Sequence, residues 1–287
     1  MVRKDLSHSP ERVAIMQWTA RIGAVTAEAL ADRLDVNVAS ARGRLQALHQ
    51  AGWLSRKRPL AEQPALYTAT RAGLRVAALQ GLDPCRVSAS NAHHLIECAW
   101  VAAALEHCYP DHAVLGEREL RRDERERGVT LASAHLGIAP DGGPLLHRPD
   151  LVLWPQGAED AGYDGAAMGP EAAVGPEASG TPEAARGVEA AEGPEAAEAV
   201  EATADGDRAA GLPVAVEVEL TVKAPQRLAE ICRAWARCRC VAGVLYLGPP
   251  EVRRALERAI EQVDAGERIV VLGLDSVPRP GVAGEGR

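Results

Sequence analysis

Glu217 and Glu219 stand two residues apart in PVAVEVELTVK, a run whose β-branched and aliphatic content predicts a strand. Side chains alternate across a strand, so Ala215, Glu217, Glu219, Thr221 and Lys223 share one face, while Val214, Val216, Val218 and Leu220 share the other. Two carboxylates and an ammonium then line one surface. Asp150, in HRPDLVLW, opens a second aliphatic run and would join them if the two strands pair. Acids crowded together from neighbouring strands repel each other unless a divalent cation lies between them. Mg²⁺ accepts such oxygens and keeps waters that can attack a phosphate, with Lys223 placed to steady the developing charge. An edge strand with a solvated polar face is the alternative on the same residues. His93 and His94, at the start of the helix predicted for residues 90 to 108, are read as helix-start or packing residues with no role.

A second group of side chains suits phosphate directly. Thr26 begins a short helical run, a turn follows through Asp35, Val36 and Asn37, and Asn37 can cap a helix from Val38 to about Gln50. On that helix Val38, Ala41, Leu45 and Leu48 share an apolar face. Ser40, Gly43 and Ala47 point away from it, flanked by Arg42 and Arg44. A small outer face with basic shoulders fits a DNA groove. Beyond Gly52, the runs WLSRKRP and LYT predict two strands of a hairpin, with Arg56, Lys57 and Arg58 where phosphate would meet it, and Thr70 to Leu79 predicts a closing helix. The order is that of a winged helix-turn-helix, for which protein contact is the alternative use.

The elements that must position the acids follow. After the helix of residues 90 to 108, strands are predicted at Val114–Leu120, Asp150–Trp154 and Pro213–Leu220. Helices opening at Pro225 and Pro250 alternate with strands at Val241–Leu247 and Arg268–Leu274. This is an α/β domain, and its apolar strands imply helices on both faces. Glu117 and Glu119 would lie on the first of these strands, inside a charge run expected to be solvated.

Between Gly169 and Ala204 the chain repeats every six residues, with Glu at 171, 177, 183, 189, 195 and 201. The repeat offers too little apolar surface to offset chain entropy, so residues 156–211 are expected to form a disordered acidic insert. Such a segment either competes with DNA for a basic surface or is a neutral expansion. Residues 156–211 hold 13 acidic and 2 basic side chains, which turns the chain's net charge of −8 into +3 elsewhere; residues 1–80 hold 12 basic and 6 acidic ones. Total charge therefore does not exclude a nucleic-acid partner. Aromatic residues are 3% of the chain and Phe is absent, which disfavours stacking of unpaired bases and favours duplex DNA. No apolar run is long enough to cross a bilayer and none resembles a signal core, so the expected location is cytoplasmic, with no membrane partner. The six cysteines read as small buried hydrophobes in a reducing compartment, and Cys232, Cys238 and Cys240 lack the paired spacing of a zinc site.

The pattern RPD, then VEVELTVK, then a helix carrying Arg227, Arg233 and Arg237, resembles the PD-(D/E)xK nuclease core, whose central order is αβββαβ. With the preceding winged helix and the helix start His93-His94-Leu95, the chain resembles the replication-relaxation family of bacterial and plasmid proteins. That resemblance covers nearly everything outside residues 156–211. It implies an N-terminal winged helix-turn-helix over residues 1–85 and a nuclease-like α/β domain over 88–155 and 212–276, interrupted by the acidic insert. It implies duplex DNA as partner, with a relaxase or replication proteins beside it, and work in plasmid replication or mobilisation. In the nuclease pattern Asp150 matches the first acid and Glu217 the second, Glu97 matches an additional metal-orienting Glu, and Mg²⁺ is the implied cofactor. Glu219 stands where the common form has Lys, so the assisting catalytic role implied there falls to Glu219 itself or to Lys223, two steps further along that face.

Overall fold

The computed structural model describes residues 9–156 and 211–277. The hexad repeat and nearly all of the expected insert lie outside the described residues. The rest is a mixed α/β structure with three sheets.

The N-terminal elements are α1 (Pro10–Ile22), β1 (Ala24–Val25), α2 (Ala27–Arg33), α3 (Val38–Gln50), β2 (Leu54–Lys57), β3 (Leu66–Ala69) and α4 (Arg71–Val76). Capping fixes where the helices begin. Thr26 Oγ1 accepts from the Ala29 N–H at 3.0 Å and Asn37 Oδ1 accepts from the Ser40 N–H at 2.8 Å, each satisfying an N–H that the helix leaves open. The turn between α2 and α3 passes through Asp35 at φ 48°, a left-handed conformation that aspartate tolerates. β2 and β3 form an antiparallel hairpin, and β1 adds to its far side in the order β1-β3-β2. Ala41, Leu45 and Leu48 of α3 are buried as expected, but Val38 is 36% exposed because it sits at the helix start, ahead of the packed turn.

The larger sheet has the order β10-β9-β8-β7-β4. Its strands are β4 (His112–Gly116), β7 (Leu151–Pro155), β8 (Val214–Val218), β9 (Gly243–Gly248) and β10 (Ile269–Gly273). β4, β7 and β8 run antiparallel in succession, and β8, β9 and β10 are parallel, connected through α7 (Pro225–Arg237) and α8 (Pro250–Val263). Period-two alternation divides the sheet between two cores. Leu151, Leu153, Val214, Val216, Val218, Leu245 and Leu247 pack with α5 (Ala92–Cys108), whereas Val152, Ala215, Val244 and Tyr246 pack with α7 and α8. β8 is central and buried on both faces, which excludes the wet edge strand.

One further expectation needs correction, and one element had no counterpart in the sequence reading. The strand expected at Val114–Leu120 ends at Gly116, and Glu117–Arg127 is a helix, α6. Its run of Glu and Arg consists of strong helix formers, with Glu117 paired to Arg121 one turn on; the run is solvated at Arg121, Arg125, Glu126 and Arg127, as expected, but Glu119 and Glu124 are buried. A hairpin of β5 (Ala134–Ile138) and β6 (Pro144–His147) was not foreseen, although Pro140-Asp141-Gly142-Gly143 is a turn signal between two short apolar runs.

The N-terminal unit and the large sheet share one apolar core, which runs from Ile15, Met16 and Leu30 through Ala99, Ala102 and Leu105 to Leu151 and Val216. Arg33 ties the same junction. Its Nε lies 2.5 Å from Glu106 Oε2 of α5, and its guanidinium lies over the Trp18 ring at 5.1 Å. Gly116 is needed here, since a Cβ at that position would lie 2.4 Å from the Arg21 carbonyl oxygen.

Candidate functional site

Asp150 sits at the start of β7, one step before Leu151, which pairs with Val216 on β8. That register puts Asp150 beside the end of β8, and its Oδ2 accepts a hydrogen bond from the Val218 N–H at 2.8 Å. The other oxygen, Oδ1, lies 2.9 Å from His94 Nε2. His94 belongs to the first turn of α5, and Cys98, four residues on along the same face, brings its Sγ to 3.4 Å from the same Nε2. The donor atoms of His94, Cys98 and Asp150 all lie within 4.8 Å of one another.

Glu217 is 5% exposed on the face of β8 turned to α7. Its Oε1 accepts from Trp235 Nε1 at 3.2 Å, and His147 Nε2, delivered by β6, lies 2.7 Å away. Burial pushes the Glu217 carboxyl above its ordinary pKa, and His147 pulls it back down; Asp150 is near enough to push it up further. The His94 pKa is raised, chiefly by its hydrogen bond to Asp150. Burial pushes the Cys98 thiol well up, and Asp150, Glu217, Glu97 and Glu117 add to the effect.

The structure thus brings Asp150 and Glu217 to adjacent strands and into each other's electrostatic field, but gives them different partners. Glu219 is buried and paired to Lys223. β8 ends at Val218, so Lys223 reaches Glu219 through the turn before α7 rather than by strand alternation. Glu97 is buried in α5 with an oxygen 3.6 Å from His93 Nε2. Glu119 lies on α6 against Arg21 and Arg122, away from this group. Sequence reasoning missed His94, Cys98 and His147. The spacing HLIEC, which places an imidazole and a thiol one helical turn apart, was the signal for the first two.

The resemblance implied Mg²⁺ at Asp150, Glu217 and Glu97. Mg²⁺ demands oxygen donors in near-octahedral array. The atoms that converge are one carboxylate oxygen, one imidazole nitrogen and one sulfur, while Oε1 of Glu217 faces Trp235 and His147. This donor set does not fit Mg²⁺. The free cysteines include two whose Sγ atoms, Cys238 and Cys240, lie 3.1 Å apart against the Ser133 carbonyl. Cys108 is exposed, so not every cysteine is a core hydrophobe.

A second surface is basic. Arg42 of α3 lies 3.6 Å from Glu28 and Arg44 lies 2.8 Å from Glu11. Exposed pairs of this kind are worth at most about 1 kcal/mol, so both guanidiniums remain able to exchange partners. Ser40 is half-buried and its N–H is taken by the Asn37 cap. Arg56 and Lys57 on β2 and Arg58 just after it are all exposed, and they have no ion-pair partner among the described residues.

Comparison with protein-family models, with curated proteins and with solved structures finds no match to this chain.

Proposed function

We propose that this protein binds duplex DNA, with residues 1–85 acting as a winged helix-turn-helix: α3 enters the groove and the β2–β3 hairpin grips phosphate. The observation that carries this reading is the run Arg56-Lys57-Arg58, three successive exposed cations without ion-pair partners among the described residues, on the hairpin that follows α3. Three successive cations on one short arm repel each other; bound phosphates offset that charge, and the counterions condensed on the DNA are released as they do so. On this proposal the protein is a DNA-binding factor of the replication-relaxation type, acting beside a relaxase or replication proteins.

The experiment is a fluorescence titration of labelled duplex DNA across a range of salt concentrations, with chelator present. Each phosphate contact contributes about 0.9 to the slope of log affinity against log salt, so replacing Arg56, Lys57 and Arg58 by Gln is expected to reduce that slope by about 3. An unchanged slope would overturn the reading.

With α6 and the β5–β6 hairpin taken as additions between β4 and β7, the order α5, β4, β7, β8, α7, β9 favours a second reading, in which the larger sheet is of the PD-(D/E)xK type and hydrolyses a phosphodiester. An added arm of the same experiment decides between them: supercoiled plasmid incubated with Mg²⁺ or Mn²⁺. Under the adopted reading wild type and Asp150→Ala leave the same amount of supercoil, whereas nicking lost in Asp150→Ala would establish the second.

A further inference from the structure

We propose that His94, Cys98 and Asp150 form a zinc site, with the imidazole Nε2, the thiolate and one carboxylate oxygen as protein ligands. The proposal does not depend on DNA binding.

Both separations from His94 Nε2 are already near those that a tetrahedral ion imposes, and the third, between Cys98 and Asp150, is within 4.8 Å. Zinc bonds of about 2.0–2.1 Å to nitrogen and oxygen and about 2.3 Å to sulfur give tetrahedral edges of about 3.3 Å for N–O and about 3.6 Å for N–S. The observed separations are 2.9 Å from His94 Nε2 to Asp150 Oδ1 and 3.4 Å from His94 Nε2 to Cys98 Sγ. Side-chain adjustments, outward from His94 Nε2 by a few tenths of an ångström, therefore admit the ion. The backbone need not move: α5 is packed against the shared core through Ala99, Val101, Ala102 and Ala103.

The surroundings favour a cation there. The second oxygen of Asp150 is held by the Val218 N–H at 2.8 Å, an outer contact of the kind that orients metal-bound carboxylates. Cys98 also lies within electrostatic reach of Glu217, Glu97 and Glu117. A divalent ion offsets this concentration of negative charge. The donor set of one nitrogen, one sulfur and one oxygen selects a borderline-soft ion such as zinc over Mg²⁺ or Ca²⁺. On binding, the Cys98 S–H bond breaks, its proton passes to solvent and the sulfur lone pair forms the bond to zinc. His94 binds as neutral imidazole through the Nε2 lone pair. Three protein ligands leave a fourth position on the side where His94 and Asp150, with side chains 37% and 23% exposed, reach solvent.

The test uses the full chain, stripped by chelator and titrated with Zn²⁺ by calorimetry and with Co²⁺ by absorption. One Co²⁺ per chain is expected, with a near-ultraviolet thiolate-to-cobalt charge-transfer band. The band should vanish in Cys98→Ser and persist when Cys238 and Cys240 are both replaced by Ser, which removes the competing thiol pair. His94→Gln and Asp150→Asn should each weaken Zn²⁺ binding about tenfold or more. A band that is absent from wild type, that survives Cys98→Ser, or that is lost with Cys238 and Cys240 overturns the site. Should Cys98→Ser fail to fold, the two other variants decide: weakened binding in both supports the site, and undiminished binding in either overturns it.

Discussion

Glu119 carries a carboxyl into the contact between α1 and α6, where it is 4% exposed, with Arg21 at 3.5 Å and Arg122 at 3.4 Å. Burial is the largest influence on it and pushes its pKa above the ordinary value; the two arginines pull the other way and do not cancel the effect. A carboxyl with a raised folded-state pKa binds its proton more tightly in the native protein than in the unfolded chain. Its contribution to stability is therefore fully present below the ordinary Glu value and is lost as pH rises through the raised one. In Glu119→Gln that dependence disappears, so the stability of the variant relative to wild type should improve as pH is raised across this window. Urea denaturation of both proteins at a series of pH values checks this, and a difference that is flat or of opposite slope removes the argument. The residue also shows what the sequence did not disclose. Alternation in VLGERELR matches a strand, and only the helical propensity of Glu and Arg, together with the burial of Leu120, favours the helix that forms.

Helix ends were legible because capping chemistry is local: Thr26 and Asn37 accept hydrogen bonds where their types and positions imply. The strands β8 and β9 were legible because β-branched and aliphatic residues dominate them, which is also a local signal. The β5–β6 hairpin was not, because its short strands carry little apolar signal and it pairs only with itself. That omission hid His147, whose imidazole sits against Glu217 only because β6 returns there. Asp150 and Glu217 lie on adjacent strands as read, but strand pairing fixes the backbone and leaves each side chain to whichever donors α5, β6 and α7 supply. At α3 the local rule yields a prediction. Asn37→Ala leaves the Ser40 N–H without its acceptor and should lower stability by about 1 kcal/mol, whereas Asn37→Asp should change it by only a few tenths. Chemical denaturation reads both, and equal stability of Asn37→Ala and wild type would show that the cap contributes nothing.

The acidic segment leaves the sheet between two strands that pair directly, since Leu153 of β7 faces Val214 of β8. Adjacent strands lie about 4.8 Å apart, so the described chain departs at Gln156 and resumes at Gly211 close to the same sheet end. Joining these ends requires only a short turn. Sequence composition predicts that the intervening residues contribute nothing to a core, and closing a longer loop costs entropy that grows as the logarithm of its length. Replacing residues 157–210 by a Gly/Ser linker about one-ninth as long should then stabilise the fold by about 2 kcal/mol. For a folded body of this size that corresponds to a rise in Tm of about 4–8 °C. A lower Tm or a broadened transition would mean that the segment packs on the folded body and that composition misjudged it. The same protein separates the two functional readings of the segment. If its excess of acids competes for the face bearing Arg56, Lys57 and Arg58, the shortened chain binds duplex DNA more tightly, with the gain largest at low salt, where charge is least screened. If the repeat is a neutral expansion, affinity stays the same at every salt concentration while the gain in Tm remains.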